Sequence, residues 1–399
     1  KGSEPGMAWH WCKELAKFCE LYIITEEEFR EDIMYEVSRL PQGGNMHFYF
    51  NPVPEKVRKM CWNQGDWRFY IYYKQWQKRT LAIAKDICSR VDIDVLHQLN
   101  MIGFREPGYL WKIKDIPLVW GPVGCTAFFP FAYLKGMSWK DAAFILLKVG
   151  ITRGQMMMGR RLKKMKRRAQ TVITASSVIQ VSFNQYMGVS SIMINETGCS
   201  MTDDQVETQR QSDEMHLLWV GRKLATKRLD IAMQTVAQLQ EKQQVKLHIV
   251  GGGFTEADRL LAQRLGIGDN CIFHGLISHD EVQQLMRKCD LFFFTSLVEG
   301  TPHVVLEAIS NHVPILCFDT CGQGDIVTDK VGFKIPLSSP EESVRQFASI
   351  IDRVMDNKTI LDQFKSFFKE KQKKHTWEKR AENMLTIYES VVKMRQKVD

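Results

Sequence analysis

The sequence predicts an α/β protein made of two doubly wound parallel-sheet domains that face each other across a cleft. Three observations carry that expectation. Short apolar blocks of strand length alternate with helix-spaced segments through both halves of the chain. Glycine-bearing turns follow the strand ends, and a polar stretch from Thr202 to Glu214 separates the two runs. At 399 residues there is room for two cores, and 44% hydrophobic with 25% charged residues is the balance of a folded chain.

Composition excludes several classes. Ten cysteines are scattered without a C-x-x-C pair, so neither a zinc ribbon nor a compact disulfide framework is expected. They read as reduced, mostly buried residues of a cytoplasmic protein. No run reaches the length of a transmembrane helix, and no signal peptide is recognisable. A net charge of +8 favours an anionic partner, and the placement of the cations matters more than their sum.

In the first half, Lys1 to Gly6 reads as a glycine-bearing loop opening a helix, in which Met7, Trp11, Leu15 and Phe18 share a face. The strand Leu21 to Thr25 follows, so this is the second part of a βαβ unit whose first strand is expected upstream of Lys1. The pattern is weak from Glu26 to Asp66; Trp67 to Arg90 then reads as a long helix with packing aromatics. Asp94 to Gln98 is a buried strand. His97 lies at its carboxyl end, where open α/β sheets place ligands, and a structural histidine is the other reading. Pro117 to Trp120 is a further strand running into Gly121-Pro122-Val123-Gly124.

Cys125 to Gly150 is rich in aromatic and aliphatic residues. Behind it, Arg153 to Arg168 sets Arg160, Arg161, Lys163, Lys164, Lys166, Arg167 and Arg168 beside methionines. An apolar wedge next to a basic amphipathic helix suits peripheral contact with an anionic membrane through 125–168; a core helix beside a solvated basic one is the alternative. No nucleic-acid module accompanies the charge, so no nucleic-acid partner is expected. The strands Thr171 to Ala175 and Ser191 to Ile194, around the helix Ser176 to Met187, close this half.

The second half opens with the strand Leu217 to Val220, followed by a turn crowded with cations: Arg222, Lys223, Lys227 and Arg228. A helix start with side-chain cations suits a diphosphate. Strands are expected at Val245 to Val250 before Gly251-Gly252-Gly253, at Cys271 to Phe273 before His274-Gly275, and at Pro314 to Phe318 before the loop Asp319 to Asp325. Helices are expected over Glu256 to Leu265 and His279 to Lys288, and three more, Pro340 to Met355, Lys358 to His375 and Trp377 to Val398, finish the chain.

The second half centres on Thr295 to Asn311. Leu291 to Thr295 is a block of buried-strand type, and Val304 to Ile309 is spaced for a helix. Pro302 suits the first helical turn and Gly300 lets a ligand or backbone come close. The free N–H groups of that helix start would face an anion, flanked by Glu299 and Glu307.

The series Gly221-Arg222…Lys227, Gly251-Gly252-Gly253, Phe273-His274-Gly275, Ser296-x-x-Glu299-Gly300-x-Pro302…Glu307 and a late Trp377 resembles the donor domain of GT-B retaining glycosyltransferases of family 4, the glycosyl transferases group 1. The first half is similar more loosely, through Gly2-Ser3-Glu4-Pro5-Gly6, His97-Gln98, Gly103 to Gly108 and Trp120 to Gly124, to a branch acting in bacterial surface polysaccharide synthesis. The resemblance implies a GT-B fold of two Rossmann-like domains: 1–205 on the acceptor side, 206–375 for the donor, and a helix, 376–399, returning to the first domain. It also implies sugar transfer from a UDP- or GDP-sugar to a glycan or lipid-linked acceptor, with no cofactor and no metal expected; the cysteine usage and the basic stretch 125–168 add the expectation of a cytoplasmic location, peripheral on the inner face of the plasma membrane.

By the same resemblance, His97, Arg222, Lys227 and Glu299 are the catalytic candidates. The donor-binding ones are Gly2, Gly6, Gly251, Gly252, Gly275, Gly300, Thr301, Pro302, His303, Val304 and Glu307. Arg222 and Lys227 would hold the diphosphate, Glu307 the ribose, and Glu299 would lie by the sugar. Two features depart from the family pattern: Thr301-Pro302-His303 replaces the frequent aromatic-glycine pair, and Asp325 stands where glutamate is commoner. A sugar-nucleotide epimerase of the same fold and a non-catalytic sugar-nucleotide or membrane-binding protein are the alternatives.

Overall fold

The computed structural model describes residues 3–62, 66–124, 128–201, 214–300 and 302–396. Its first half runs α1 (Ser3–Leu15), β1 (Leu21–Glu26), α2 (Arg30–Val37), β2 (Met46–Asn51), α3 (Glu55–Val57), α4 (Phe69–Arg90), β3 (Leu96–Gln98), β4 (Leu118–Val123), α5 (Trp139–Met158), α6 (Arg160–Arg168), β5 (Thr171–Thr174), α7 (Ser177–Met187) and β6 (Ile192–Met193). The second runs β7 (Met215–Val220), α8 (Leu229–Gln238), β8 (Val245–Val250), α9 (Glu256–Arg264), β9 (Cys271–Gly275), α10 (His279–Lys288), β10 (Leu291–Phe294), α11 (His303–Ser310), β11 (Ile315–Phe318), α12 (Cys321–Ile326), β12 (Gly332–Ile335), α13 (Pro340–Asp356), α14 (Lys365–Lys374) and α15 (Trp377–Gln396).

Every strand pairing is parallel. The second half forms one six-stranded sheet in the order β12-β11-β10-β7-β8-β9. The chain starts in the middle at β7, winds outward to β9, then returns to the other side of β7, so the order reverses between β7 and β10. In such sheets the crevice at the carboxyl ends of the two switch strands is where ligands sit. β10 and β11 are buried along their whole length, as strands covered by helices on both faces require. Trp219, Phe292, Phe293, Phe318 and Phe347 are among the largest fully buried side chains of that core.

The first half is divided. β1 and β2 form a separate pair registered Leu21 with Met46 through Glu26 with Asn51, while β3-β4-β5-β6 form a four-stranded sheet. α15 leaves the second half at Trp377 and lies on α1, where Met7, Trp11 and Leu15 pack with Trp377, Met384 and Val391. Trp377 stacks on His10 with ring centroids 4.7 Å apart and meets Trp11 edge-on.

Several sequence expectations need correction. The glycine loop expected before Met7 is already helix from Ser3, so Gly6 is a helical residue. The weakly patterned stretch after Glu26 holds α2 and β2; among the described residues β2 pairs on one side only, and its inner residues are half-buried, so no alternation marks it. The basic helix is two helices that meet at Gly159, whose ψ of 109° leaves the helical region. Gly322 and Gly324 disguise α12 as a loop. The stretch expected as one helix from Lys358 begins as a 3-10 helix, Lys358–Phe364, before α14. Among the described residues the cysteines are all free, and no helix is long and apolar enough to cross a membrane.

The aromatic wedge is divided as well. Phe129 and Tyr133 do not face outward: they join the core of the second half, where the Tyr133 hydroxyl lies 2.6 Å from Ser343 Oγ and accepts from the Ser338 N–H at 3.1 Å. Arg228 donates to the Tyr133 carbonyl at 3.2 Å, and Asp325 accepts from the Ser177 N–H at the start of α7 at 2.9 Å. These contacts tie the two halves together beside the switch point.

Candidate active site

The two turns at the switch point are sewn together by buried hydrogen bonds. Thr295 Oγ1 accepts from the Trp219 indole at 2.9 Å and donates to the carbonyls of Lys227 and Arg228 at 2.8 and 3.0 Å. The Leu297 N–H reaches the Thr226 carbonyl at 2.8 Å, and Gln323 donates to the Ser296 carbonyl at 2.9 Å. With both backbones fixed, Lys227 Nζ forms an ion pair with Glu299 Oε1 above the Phe294 ring. Ser296 Oγ donates to the same carboxylate oxygen at 2.7 Å. Each side chain of the pair keeps 18% exposure, enough for a ligand to reach it.

The four cations after β7 do different work. Arg228, in the left-handed region at φ 50°, is buried and bidentate to Asp230; it is structural. Lys223 is tied to Asp258 at 2.8 Å. Lys227 is shared with Glu299. Arg222 is exposed and has no partner among the described residues, so its guanidinium is available.

The glycines also separate. Gly251 has φ 137°, and a Cβ there would strike the Gly221 carbonyl, so it brings the ends of β8 and β7 together. Gly252 packs beside Leu276, while Gly275 has φ 69° with open space around it. A Cβ on Gly300 would lie 2.9 Å from Glu196 Oε1, a buried carboxylate of the first half.

Pro302 is the N-cap of α11 rather than its first helical residue, and it offers no capping side chain. Among the described residues the N–H groups of His303 and Val304 therefore have no partner at that end. The His303 ring is held by Thr197 Oγ1 at 2.8 Å, and Glu307, in the second turn, faces His279 at 3.4 Å. Gly2 and Thr301 lie outside the described residues.

His97 is placed differently from the others. Nε2 meets the Gly121 carbonyl at 2.5 Å, which fixes the proton on that nitrogen, and Nδ1 accepts from the Tyr388 hydroxyl at 2.6 Å. Burial pushes its pKa down to about 4. With both ring nitrogens engaged by protein, His97 joins β3 to α15 in this structure.

Sequence reasoning missed the first-half wall of the site. Glu196 and Thr197 follow β6 and meet Gly300 and His303. Arg380, from α15, braces them by donating to Asn195 Oδ1 at 3.0 Å and the Thr197 carbonyl at 3.3 Å. Glu4, in the first turn of α1, has its pKa raised by burial and then by the Glu196 carboxylate. The only signal was a polar run, Asn195 to Thr197, in what otherwise reads as a strand exit. Together, an exposed arginine, a lysine on a carboxylate and a helix start whose first N–H groups have no partner among the described residues are chemically suited to an anion.

Residues 200–384 match the family described as "Glycosyl transferases group 1". Among curated relatives, an uncharacterised glycosyltransferase of Methanocaldococcus jannaschii is 25% identical over 46% of this chain and 47% of its own. The lipopolysaccharide glucosyltransferase WaaG of Escherichia coli is 30% identical over 28% of this chain and 30% of its own. The chain thus spans about half the length, or less, of these relatives. Among solved structures, the Anabaena protein HepE in complex with UDP aligns over 98% of both chains with a TM-score of 0.60 at 15% identity. The structure of WaaG aligns over 97% of this chain and 96% of its own with a TM-score of 0.61 at 14% identity. At such identities the likeness gives the fold, which is GT-B: two α/β domains with parallel sheets.

Proposed function

We propose, from a group 1 domain over residues 200–384 on a GT-B frame, that this chain is a retaining glycosyltransferase. It moves a sugar from a UDP- or GDP-sugar to a glycan or lipid-linked acceptor in surface polysaccharide synthesis. The observation that carries the reading is the Lys227–Glu299 pair at the switch point, beside the open start of α11. Lys227 leaves Glu299 for the diphosphate, Arg222 closes on it, and the N–H groups of His303 and Val304 take further oxygens. That charge offsets what develops on the leaving diphosphate. Glu299, released, accepts from a sugar hydroxyl, and Glu307 accepts from the ribose. Retention follows if the acceptor attacks on the face that the diphosphate leaves. HepE was solved with UDP and WaaG is described as a glucosyltransferase of lipopolysaccharide, which supports this donor class and this setting.

The acceptor side is proposed to rest on an anionic membrane. α5 exposes Trp139 at 76%, Phe144 at 66%, Leu147 at 63% and Met158 at 70%, and Arg160, Lys163, Lys164 and Arg167 are exposed on α6. Arg161, Lys166 and Arg168 are not part of that surface, since they bond to Glu106, to the Met187 carbonyl and to the carbonyls of Ile113 and Lys114. An apolar ridge with a basic flank binds anionic interfaces. The test incubates UDP- and GDP-sugars with lipid-linked acceptors and identifies the product. An isomerised free sugar nucleotide, with no acceptor consumed, contradicts the reading in favour of an epimerase.

A further inference from the structure

Arg153, on α5, differs from the arginines around it. Arg105 gives its guanidinium to Thr152 Oγ1 and Gln155 Oε1, each at 2.7 Å, Arg161 pairs with Glu106, and Arg168 reaches the carbonyls of Ile113 and Lys114. Arg160 and Arg167 stand in solvent. Arg153 does neither. Its guanidinium carbon lies 5.1, 5.8 and 5.6 Å from the ring centres of Phe128, Phe131 and Tyr186, and its Nε is closed off from solvent with no hydrogen-bond partner. Among the described residues no carboxylate or carbonyl reaches the group. Aromatic faces offset its charge but are no substitute for oxygen acceptors, so the fork keeps donors to offer. The residue is partly exposed, which leaves that fork within reach of a ligand.

α5 sets the fork at a border. Val149, Thr152 and Met156 are its buried face, packed toward α7. Trp139, Leu146, Gly150, Arg153 and Met157 follow one another at i+3, i+4 and i+7 spacing, so they lie along one line of the helix. Trp139, Leu146 and Met157 are exposed, and at Gly150 no atom lies within 4 Å of where a Cβ would stand. The line is an apolar track with a gap at its centre and a cation beside the gap. Next to it on the same helix are Phe144, Leu147 and Met158, the ridge proposed above to rest on a membrane. An amphipathic helix lies in the plane of the interface with its apolar face at the acyl boundary. A long cationic side chain on the border of that face holds its charge at headgroup level, where lipid phosphate stands.

The box adjoins the seam between the halves. The segment carrying Phe128 and Phe131 continues to Tyr133, whose carbonyl accepts from Arg228, the residue after Lys227. Tyr186 is on α7, whose first N–H meets Asp325 of the second half.

We infer that Arg153, boxed by Phe128, Phe131 and Tyr186, binds the phosphate of a phosphorylated long-chain lipid, the anchor of the acceptor, whose chain follows Leu146, Gly150 and Met157 on α5. This rests on the reading of the protein as a transferase to a lipid-linked acceptor, and it adds the group that recognises that acceptor. Phosphate oxygens suit the planar fork bidentately. A free anion would satisfy the fork but leave the track bare.

Dodecyl phosphate, below its micelle concentration, is titrated into the protein, into Arg153→Gln and into Gly150→Leu, with dodecanol and inorganic phosphate as comparison ligands. Saturable binding is expected, weakened about 10-fold or more by Arg153→Gln and about 5-fold or more by Gly150→Leu, which fills the gap. Gly150 is in open space on a helix, where leucine is the better helix former, so that variant stays folded even if Arg153→Gln does not. In the transfer assay the KM for the lipid-linked acceptor rises by the same factors while UDP affinity holds. Equal binding of dodecyl phosphate by all three proteins overturns the inference, as does dodecanol binding as strongly as dodecyl phosphate. Inorganic phosphate binding as strongly as dodecyl phosphate also overturns it and makes the fork a site for the free anion. Binding that depends on Arg153 in a protein that transfers no sugar upholds the phosphate site and rejects the transferase reading. Transfer with an acceptor KM indifferent to Arg153 rejects the site and leaves that reading intact.

Discussion

Glu299→Gln separates the two roles of the pair. In the free protein Lys227 must leave Glu299 to meet a diphosphate, so part of its attraction is spent before the ligand arrives. A hydrogen bond to a charged group is worth about 1.5–3 kcal/mol net, and exposed ion pairs about 0–1 kcal/mol. At 18% exposure the pair falls between, at about 1–2 kcal/mol. Glutamine keeps an oxygen for Ser296 Oγ but holds Lys227 far less strongly. UDP alone is therefore expected to bind about 5–30-fold more tightly to the variant, while sugar transfer falls by about 100-fold or more because the sugar loses its charged acceptor. Titration calorimetry of UDP at 0.15 M salt, beside transfer rates, reads both. UDP affinity that falls tenfold together with transfer refutes the competition and makes Glu299 an organiser of the turn.

Gly251→Ala is expected to lose at least about 2 kcal/mol of stability, since its Cβ strikes the Gly221 carbonyl at a positive φ, whereas Gly275→Ala costs about 1 kcal/mol because only its φ resists; equal losses in denaturant melts contradict this contrast. Burial holds His97 and His375 neutral, with pKa values of about 4 and about 3. The unfolded chain takes up those protons first as pH falls below about 6.5, so stability declines from there toward pH 4. A melting temperature that holds steady from pH 7 to pH 5 contradicts that. Asp325→Ala removes the cap on Ser177 between the halves and is expected to cost about 1 kcal/mol, read as a lower Tm. Neutralising Arg160, Lys163, Lys164 and Arg167 is expected to abolish salt-sensitive flotation with anionic vesicles, and unchanged flotation rejects the electrostatic account.

What the sequence disclosed depended on burial. The strands of the second sheet were legible because helices cover both faces, so Leu291 to Phe294 and Ile315 to Phe318 read as unbroken apolar runs. The turns were legible because Lys227, Glu299 and Gly300 follow strand ends, with Glu307 on the helix behind, at a spacing that survives in one dimension. β2 was not, because an edge strand with half-buried aromatics leaves no period. Nor could the sequence place Tyr133 in the core of the other half, or set Glu196 against Gly300, since those contacts join segments far apart in the chain. His97 shows the limit most clearly: its position at a strand end is that of a ligand residue, yet Gly121 and Tyr388 take both nitrogens.

In the proposed function, Lys227 and the start of α11 receive the diphosphate of a sugar nucleotide. Calorimetric titration of UDP, GDP, UDP-glucose and GDP-mannose into the protein and into Lys227→Ala tests it directly. Saturable binding of one nucleotide series is expected, weakened about 10-fold or more by the substitution, while loss of the ion pair with Glu299 lowers the melting temperature of the free protein by only about 2–8 °C. Binding of equal strength to both proteins, or to neither, contradicts it.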